Sequence, residues 1–396
     1  MGKPDHKRRV LFISPQPFFE WRGSPIRVKF DVLALSELGY QVDLLTLPIG
    51  AEETVNDVNI IRAWNILGSK KISIGPSGLK LWFALIFLIQ GSGLVLRNRY
   101  DVLHGTEEAG FICYLLSLLC KARCIFEKHS DSNSYQPKYF MKPILSAYRA
   151  VERLTVRNCK GVISTGPALD EQAKSMITAT VVADKFSVIP DTPSSIVEAC
   201  ADSVAKARAE MESQPGQVIA MYAGSFASYQ GIDIIFEAIP DVVRKNKLAR
   251  FVIIGGSDEE VAYYQEQLAA KGMADEVLFL GKIQPDLLPA YLAASDILLA
   301  PRKSGVNSPL KILDYFKAGA AIVATNTVAN KRLLDQSNAM LCEFNVKHFS
   351  DTINSLIESP EKRKSLGKNA YKLYKSTYNF NVFKGQLNDA YKAVLL

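Results

Sequence analysis

The chain has 396 residues, 48% hydrophobic and 22% charged, enough for two or three domains with their own cores; a disulfide-stapled mini-scaffold and a wholly disordered chain are excluded. The net charge of +7 is uneven: residues 1–190 carry 24 Lys and Arg against 17 Asp and Glu, whereas 191–396 carry 23 of each. A positive first half fits an anionic lipid surface or an anionic substrate, and scattered surface lysines fit equally well.

The basic N-terminus runs straight into an apolar strand at 9–14, without the cleavage pattern of a secretory signal. Helix 26–38 places Ile26, Phe30, Leu33, Ala34 and Leu38 on one face, Gly39 suits a left-handed cap, and 41–47 reads as a strand. The apolar stretch 79–96 is interrupted by Lys80, Gln90, Gly91, Ser92 and Gly93. It falls short of the roughly 18 clean apolar residues of a spanning helix and is expected to be a buried or membrane-touching one. Strand 102–104, helix 109–121, strand 124–127, helix 144–158 and strand 161–164 follow. Alternation without hairpin signals predicts parallel βαβ units.

Past a junction at 190–193 and a polar helix at 199–213, the alternation resumes. Strands are expected at 218–223, 251–255, 277–280, 297–300 and 321–325, and helices at 232–243, 259–271, 286–294 and 310–318. The predicted class is α/β, with two Rossmann-like domains, 1–190 and 191–379, facing across a cleft. Ligands in such sheets lie beyond the carboxyl ends of the strands. Cys113, Cys120, Cys124, Cys159, Cys200 and Cys342 form no C-x-x-C, and five lie in apolar or helical stretches. Buried reduced thiols and a cytoplasmic location are expected.

Two stretches carry phosphate-compatible chemistry. Gly224-Ser-Phe-Ala-Ser-Tyr-Gln-Gly231 leads from a strand into a helix N-terminus, where backbone N–H groups and the helix dipole suit an anion; a turn needed only for chain geometry reads as well. Pro301-Arg-Lys-Ser-Gly-Val-Asn-Ser-Pro309 offers Arg302 and Lys303, with Asn307 and Ser308 as hydrogen-bonding groups, before a second helix carrying Lys311 and Asp314. Asp314 is spaced to reach back to a ligand and accept from a ribose diol; a solvated helix acid is the alternative, and for the three cations a solvated charge run. No Asp-x-Asp or clustered carboxylates suggest a metal, and none is expected; nor is a cofactor. No G-x-G-x-x-G follows the first strand, which weakens a dinucleotide oxidoreductase, and no basic-aromatic motif favours nucleic acid.

Together with Phe251-Val-Ile-Ile-Gly-Gly256, Leu278-Phe-Leu-Gly281, the run Leu288 to Asp296 and the block Ser308 to Thr325, these motifs resemble the GT-B glycosyltransferases, specifically glycosyltransferase family 4. Trp21-Arg-Gly-Ser-Pro-Ile-Arg27, Asp101-Val-Leu-His104 and Lys128-His-Ser-Asp131 look like that family's acceptor-side elements. The resemblance implies a nucleotide diphosphate sugar, UDP- or GDP-linked, held between Gly224 and the helix at 310, and a last helix, about 380–396, packed back on the first domain. Of the family's E-x7-E pair, Asp314 stands for the later acid and Val306 replaces the earlier; the turn's usual Arg and Lys fall at Ser225 and Gln230. Gly231, Arg302 and Lys311 complete the implied donor side, and Gly23 would let backbone approach the donor phosphates or the acceptor. His129 matches the family's sugar-contacting histidine. Glu107 and Glu108, in a loop expected to face the cleft, are placed to orient it or the acceptor, and solvated helix-start acids favouring the dipole read equally well.

The implied activity is a hexosyltransferase retaining anomeric configuration, acting on a glycan or lipid-linked acceptor in envelope or surface glycan biosynthesis, with peripheral contact on the inner face of an anionic membrane. The alternative is a non-catalytic nucleotide-sugar-binding or scaffold subunit of a glycan assembly complex, in keeping with Val306, Ser225 and Gln230.

Overall fold

Strands buried on both faces have no solvent side to display, so they are mostly apolar and need helices above and below. The computed structural model shows this arrangement twice; it describes residues 7–396 apart from 22, 71, 73–77, 132–141, 178–182, 213 and 305–308, and the side chains of 142–144. The chain forms two compact units, residues 1–191 with 380–396, and residues 192–379.

The first unit contains β1 (Arg9–Ser14), α1 (Gly23–Glu37), β2 (Gln41–Thr46), β3 (Val58–Arg62), α2 (Gly78–Arg97), β4 (Val102–Thr106), α3 (Ala109–Ser117), β5 (Arg123–Lys128), α4 (Lys142–Asn158), β6 (Gly161–Ser164), α5 (Pro167–Ser175) and β7 (Phe186–Val188). Its strands pair in parallel in the order β3-β2-β1-β4-β5-β6-β7. The second unit contains α6 (Ala201–Met211), β8 (Val218–Ala223), α7 (Asp233–Lys245), β9 (Ala249–Ile254), α8 (Asp258–Ala270), β10 (Val277–Gly281), α9 (Leu288–Ala293), β11 (Ile297–Ala300), α10 (Leu310–Ala318), β12 (Ala321–Thr325), β13 (Met340–Cys342), α11 (Val346–Ile357) and α12 (Pro360–Leu373). Its parallel sheet runs β10-β9-β8-β11-β12-β13. Alternate residues divide its core: Tyr222, Phe251 and Val323 pack with α7 and α11, whereas Met221, Val252 and Ile322 pack with α10. In each unit the strand order reverses beside the first strand, between β1 and β4 and between β8 and β11, the positions where such sheets take ligands.

Three strands escape the sequence reading. β3, β7 and β13 are three to five residues long and half-buried at sheet edges, so no continuous apolar run announces them. Helix 109–121 ends at Ser117, leaving Leu118 and Leu119 exposed, and helix 286–294 shortens to α9. α2 is long and apolar enough to cross a membrane by length and composition, contrary to the expectation from its interruptions. Phe83, Ile86, Phe87, Gly91 and Val95 are buried on the first unit, while Leu81, Leu85, Ile89 and Leu96 face outward. All six cysteines are free thiols, and Cys200 is exposed at the N-cap of α6, where its sulfur accepts from the Ser203 N–H.

α13 (Phe380–Leu395) belongs to the first unit, where Phe383, Leu387, Ala390, Tyr391 and Val394 are buried. A Cβ on Gly161 would lie 2.5 Å from Val394, so α13 approaches the start of β6 at a point where only glycine fits. Leu387→Ala, at a fully buried position, is expected to cost the first unit about 2–5 kcal/mol. Differential scanning calorimetry should show one transition lowered and the other unmoved; two unchanged transitions would contradict this role for α13.

Candidate functional site

The two phosphate-compatible stretches meet beyond β8 and β11. Gly224 takes φ +152° and donates its N–H to the Ile254 carbonyl at 3.0 Å. A Cβ there would lie 2.7 Å from Lys311 Nζ and 3.1 Å from the Tyr222 hydroxyl, so the glycine makes room for the lysine head. Ser225 is exposed, and its carbonyl accepts from Tyr222 Oη at 2.7 Å. Gln230 is half-buried and ends a single 3-10 turn closed by Gly231 at φ +67°, where a Cβ would lie 2.1 Å from the Pro301 carbonyl oxygen. The Lys303 N–H donates to the Tyr229 carbonyl at 2.9 Å, tying turn to loop. Arg302 Nε donates to the Ser304 carbonyl at 2.8 Å, with the guanidinium over the Tyr229 ring. Asn307 and Ser308, like Val306, lie outside the described residues.

Lys311 occupies the first turn of α10. Its ammonium is shut off from solvent, has no hydrogen-bond partner among the described residues, and sits 4.1 Å from the centroid of the Tyr222 ring. Burial, then the charge of Arg302, pulls its pKa down to about 7 against the opposing pull of Asp314. A buried ammonium without an acceptor is costly. The helix cap beside it, Pro309, contributes no side-chain hydrogen bond, so a bound anion would answer both the lysine and the positive end of α10.

Asp314, one turn on, is not a free acid waiting at the helix start. Its Oδ1 accepts from the Ser194 N–H at 2.7 Å and the Ser194 hydroxyl at 2.9 Å, and among the described residues Oδ2 has no hydrogen bond. Burial raises its pKa to about 6 against those hydrogen bonds and the charges of Lys317 and Lys311. It also lines a cavity of about 190 Å³ with Ser194, Glu198, Leu288, Leu292 and Tyr371. The sequence reading missed Ser194, Tyr222 and Tyr315. Tyr315 donates to the Leu299 carbonyl at 3.0 Å and accepts from the Ala223 N–H at 3.4 Å, joining α10 to the ends of β8 and β11. A tyrosine in an apolar stretch reads as core, and no spacing marks these three.

In the first unit, His129 follows β5 and Glu107 follows β4. The Glu107 carboxylate accepts the His129 backbone N–H at 3.0 Å, while its own backbone takes φ +51°, a left-handed conformation that costs a non-glycine residue about 1–3 kcal/mol. Burial raises the Glu107 pKa against the charge of His129. The His129 ring lies with Nε2 3.4 Å from Glu127 Oε1. Burial lowers its pKa, but Glu127 and then Glu107 outweigh it and lift the value to about 9. Gly23 opens α1; a Cβ there would meet nothing within 4 Å, so packing does not require glycine at that position. Glu108 faces Lys80 at 3.6 Å, away from His129's hydrogen bonds.

Lys311→Met tests the burial directly, because an apolar isostere removes a charge that lacks an acceptor. Unfolded lysine titrates near 10.5 and folded Lys311 near 7. Between those values the unfolded chain holds the extra proton, so this group makes stability rise with pH from 7 to 10.5, its full cost standing below 7. The variant should be at least as stable at pH 7 and lose that slope in urea unfolding. An unchanged slope would contradict the burial.

Residues 32–191 match Glycosyltransferase Family 4, and residues 203–373 match Glycosyl transferases group 1. Alpha-D-kanosaminyltransferase of Streptomyces kanamyceticus is 23% identical over 340 residues, 81% of this chain and 86% of that one. The solved structure of sucrose-phosphate synthase from Thermosynechococcus elongatus superposes with a TM-score of 0.74 at 18% identity over 98% of both chains. Anabaena HepE in complex with UDP-glucose superposes with a TM-score of 0.70 at 14% identity, over 97% of this chain and 99% of that one. These two likenesses show a shared fold. Two family matches in tandem on two parallel Rossmann-like sheets make the chain a member of the GT-B glycosyltransferases of the family 4 type, and a transferase enzyme.

Proposed function

We propose that the protein transfers a hexosyl group from a UDP- or GDP-sugar to a lipid-linked or polysaccharide acceptor, with retention of anomeric configuration. The observation that carries this reading is Lys311: a buried ammonium without an acceptor among the described residues, at the N-terminus of α10 and beside a glycine that leaves space for it. A diphosphate supplies the missing acceptor. Breaking the bond between the anomeric carbon and the diphosphate builds negative charge on the leaving oxygen, and Lys311 with the helix N-terminus meets that charge without a metal ion. In a retaining reaction the leaving phosphate oxygen takes the acceptor's proton on the face it vacates, so no second carboxylate is required there.

Asp314 is placed to take a ribose hydroxyl through Oδ2, while Ser194 fixes Oδ1. His129, charged at neutral pH by Glu127, is the group assigned to the sugar, and Glu107 holds its backbone. Gly224, Ser225, Gln230, Gly231 and Arg302 shape the diphosphate side. The outward face of α2, with Leu81, Leu85, Ile89 and Leu96, and the positive charge of the first half support an acceptor presented at the cytoplasmic face of a membrane. A role in envelope or surface glycan synthesis follows from such an acceptor. The second reading, a scaffold subunit, draws on uncharged Ser225 and Gln230 in the turn.

The test is mass-spectrometric detection of transfer with purified protein, a panel of UDP-, GDP- and ADP-sugars, and a lipid extract as acceptor. One donor should be consumed with a glycosylated product, and Asp314→Ala should lower the rate about 10- to 100-fold, the worth of a charge-assisted hydrogen bond. Binding without turnover across the panel would favour the scaffold; no binding would overturn the donor site.

A further inference from the structure

A buried polar network behind His129 extends from the C-terminal helix to the end of the first unit. Glu127, the penultimate residue of β5, is fully buried and faces three nitrogen groups. Arg27 Nη2 lies 2.7 Å from Oε1, His104 Nε2 lies 3.1 Å from Oε2, and His129 Nε2 lies 3.4 Å from Oε1. Only an ionised carboxylate suits three donors, and burial's upward push on Glu127 is overcome chiefly by Arg27, which holds it well below the usual range.

Each partner is fixed in turn. Burial keeps His104 neutral, and its Nδ1 lies 2.8 Å from the hydroxyl of Tyr391 on α13. The tyrosine therefore donates to Nδ1 and leaves Nε2–H for Glu127; the other tautomer would turn a lone pair toward a carboxylate. Arg27 donates to the carbonyls of Ile189 at 2.8 Å and Pro190 at 3.2 Å, pairs with Asp31 and Asp191 at 3.3 Å each, and lies under the Phe383 ring of α13. Nε2 of His129 faces Glu127 Oε1 at 3.4 Å without closing a full hydrogen bond, and Nδ1, closed off from solvent, has no partner among the described residues, a donor left for a ligand oxygen.

We propose that Glu127 is a positioning residue for the transferase: anchored by Arg27 and His104, it grips the His129 ring by Nε2, fixes it as the imidazolium, and turns Nδ1 toward the substrate. The proposal rests on the reading of His129 as the sugar-side group. The charged and titratable groups around His129 are Glu127 and Lys128 on β5, Glu107 after β4, His104 on β4, Arg27 and Asp31 on α1, and Asp191. Burial and the charge of Glu127 push Asp31 up, and burial pushes Asp191 up, so Glu127 is the firmly ionised acid at the ring's Nε2.

The experiment is an NMR titration of the His129 ring in the full chain, its signal assigned among the four histidines with His129→Asn. In the wild type the ring should titrate near 9, against about 6.5 for an ordinary histidine. Glu127→Gln, which keeps the shape and removes the charge, should move it down by about 1.5 units or more and carry the alkaline limb of kcat/KM with it. A wild-type midpoint near 6.5 overturns the proposal whether or not the variant folds, as does an unmoved midpoint in Glu127→Gln. If the titrations behave as expected but His129→Asn turns over like the wild type, the reading of His129 has failed and the proposed role falls with it.

Discussion

A lysine head group buried without an acceptor among the described residues is the constraint on which the second unit's loops depend. Lys311 can sit where it does because Gly224 has no Cβ, because the Tyr222 ring offers its electron-rich face, and because Tyr315 fixes α10 to the ends of β8 and β11. Cation–π attraction is worth about 2 kcal/mol when desolvated, well short of the cost of stripping an ammonium of water. In the proposed complex an anion releases the remaining deficit. Here the chain spends stability on readiness to bind, the usual trade of a preorganised electrostatic site.

The first unit solves the opposite problem. The Arg27 guanidinium is shut off from solvent as the Lys311 ammonium is, yet every edge of it has an oxygen: Glu127, Asp31, Asp191 and two carbonyls. Such a compensated cluster rigidifies, and breaking it by removing one partner strands a charge. Its members come from α1, β4, β5, α13 and the segment ending at Asp191, so the position of His129 depends on how all of these are packed. Compensation behind the histidine and deficit around the lysine are two uses of one physical rule, that charge removed from water must find a partner.

The α/β class was legible because the central strands are buried on both faces: β1, β8 and β11 are largely apolar runs bounded by turn residues. β3, β7 and β13 were not, since edge strands bury only part of their length. Lys311, Asp314 and Gly224 were picked out by motif, but their environment was not: a lysine at a helix start reads as solvated, and only the fold shows that Tyr222 and Gly224 enclose it. Ser194 as the partner of Asp314, 120 residues away, has no local signal. Nor does the Glu127 cluster: Arg27, His104 and His129 fall in motifs, but nothing local marks Glu127 or Tyr391 or shows that these distant residues meet. The outward face of α2 was hidden by a different cause, because hydropathy reports how apolar a helix is and not which side of it is covered.

The central claim, that a diphosphate completes the site around Lys311, is tested most directly by calorimetric titration of UDP and GDP at pH 7.5 in two buffers of different ionisation enthalpy. With a pKa of about 7, free Lys311 is mostly neutral at that pH, and an anion at Nζ should restore its charge, so binding should take up about 0.7 proton. That uptake should vanish in Lys311→Met. Binding with no proton uptake, or with equal uptake in the variant, would show that the diphosphate does not meet this lysine.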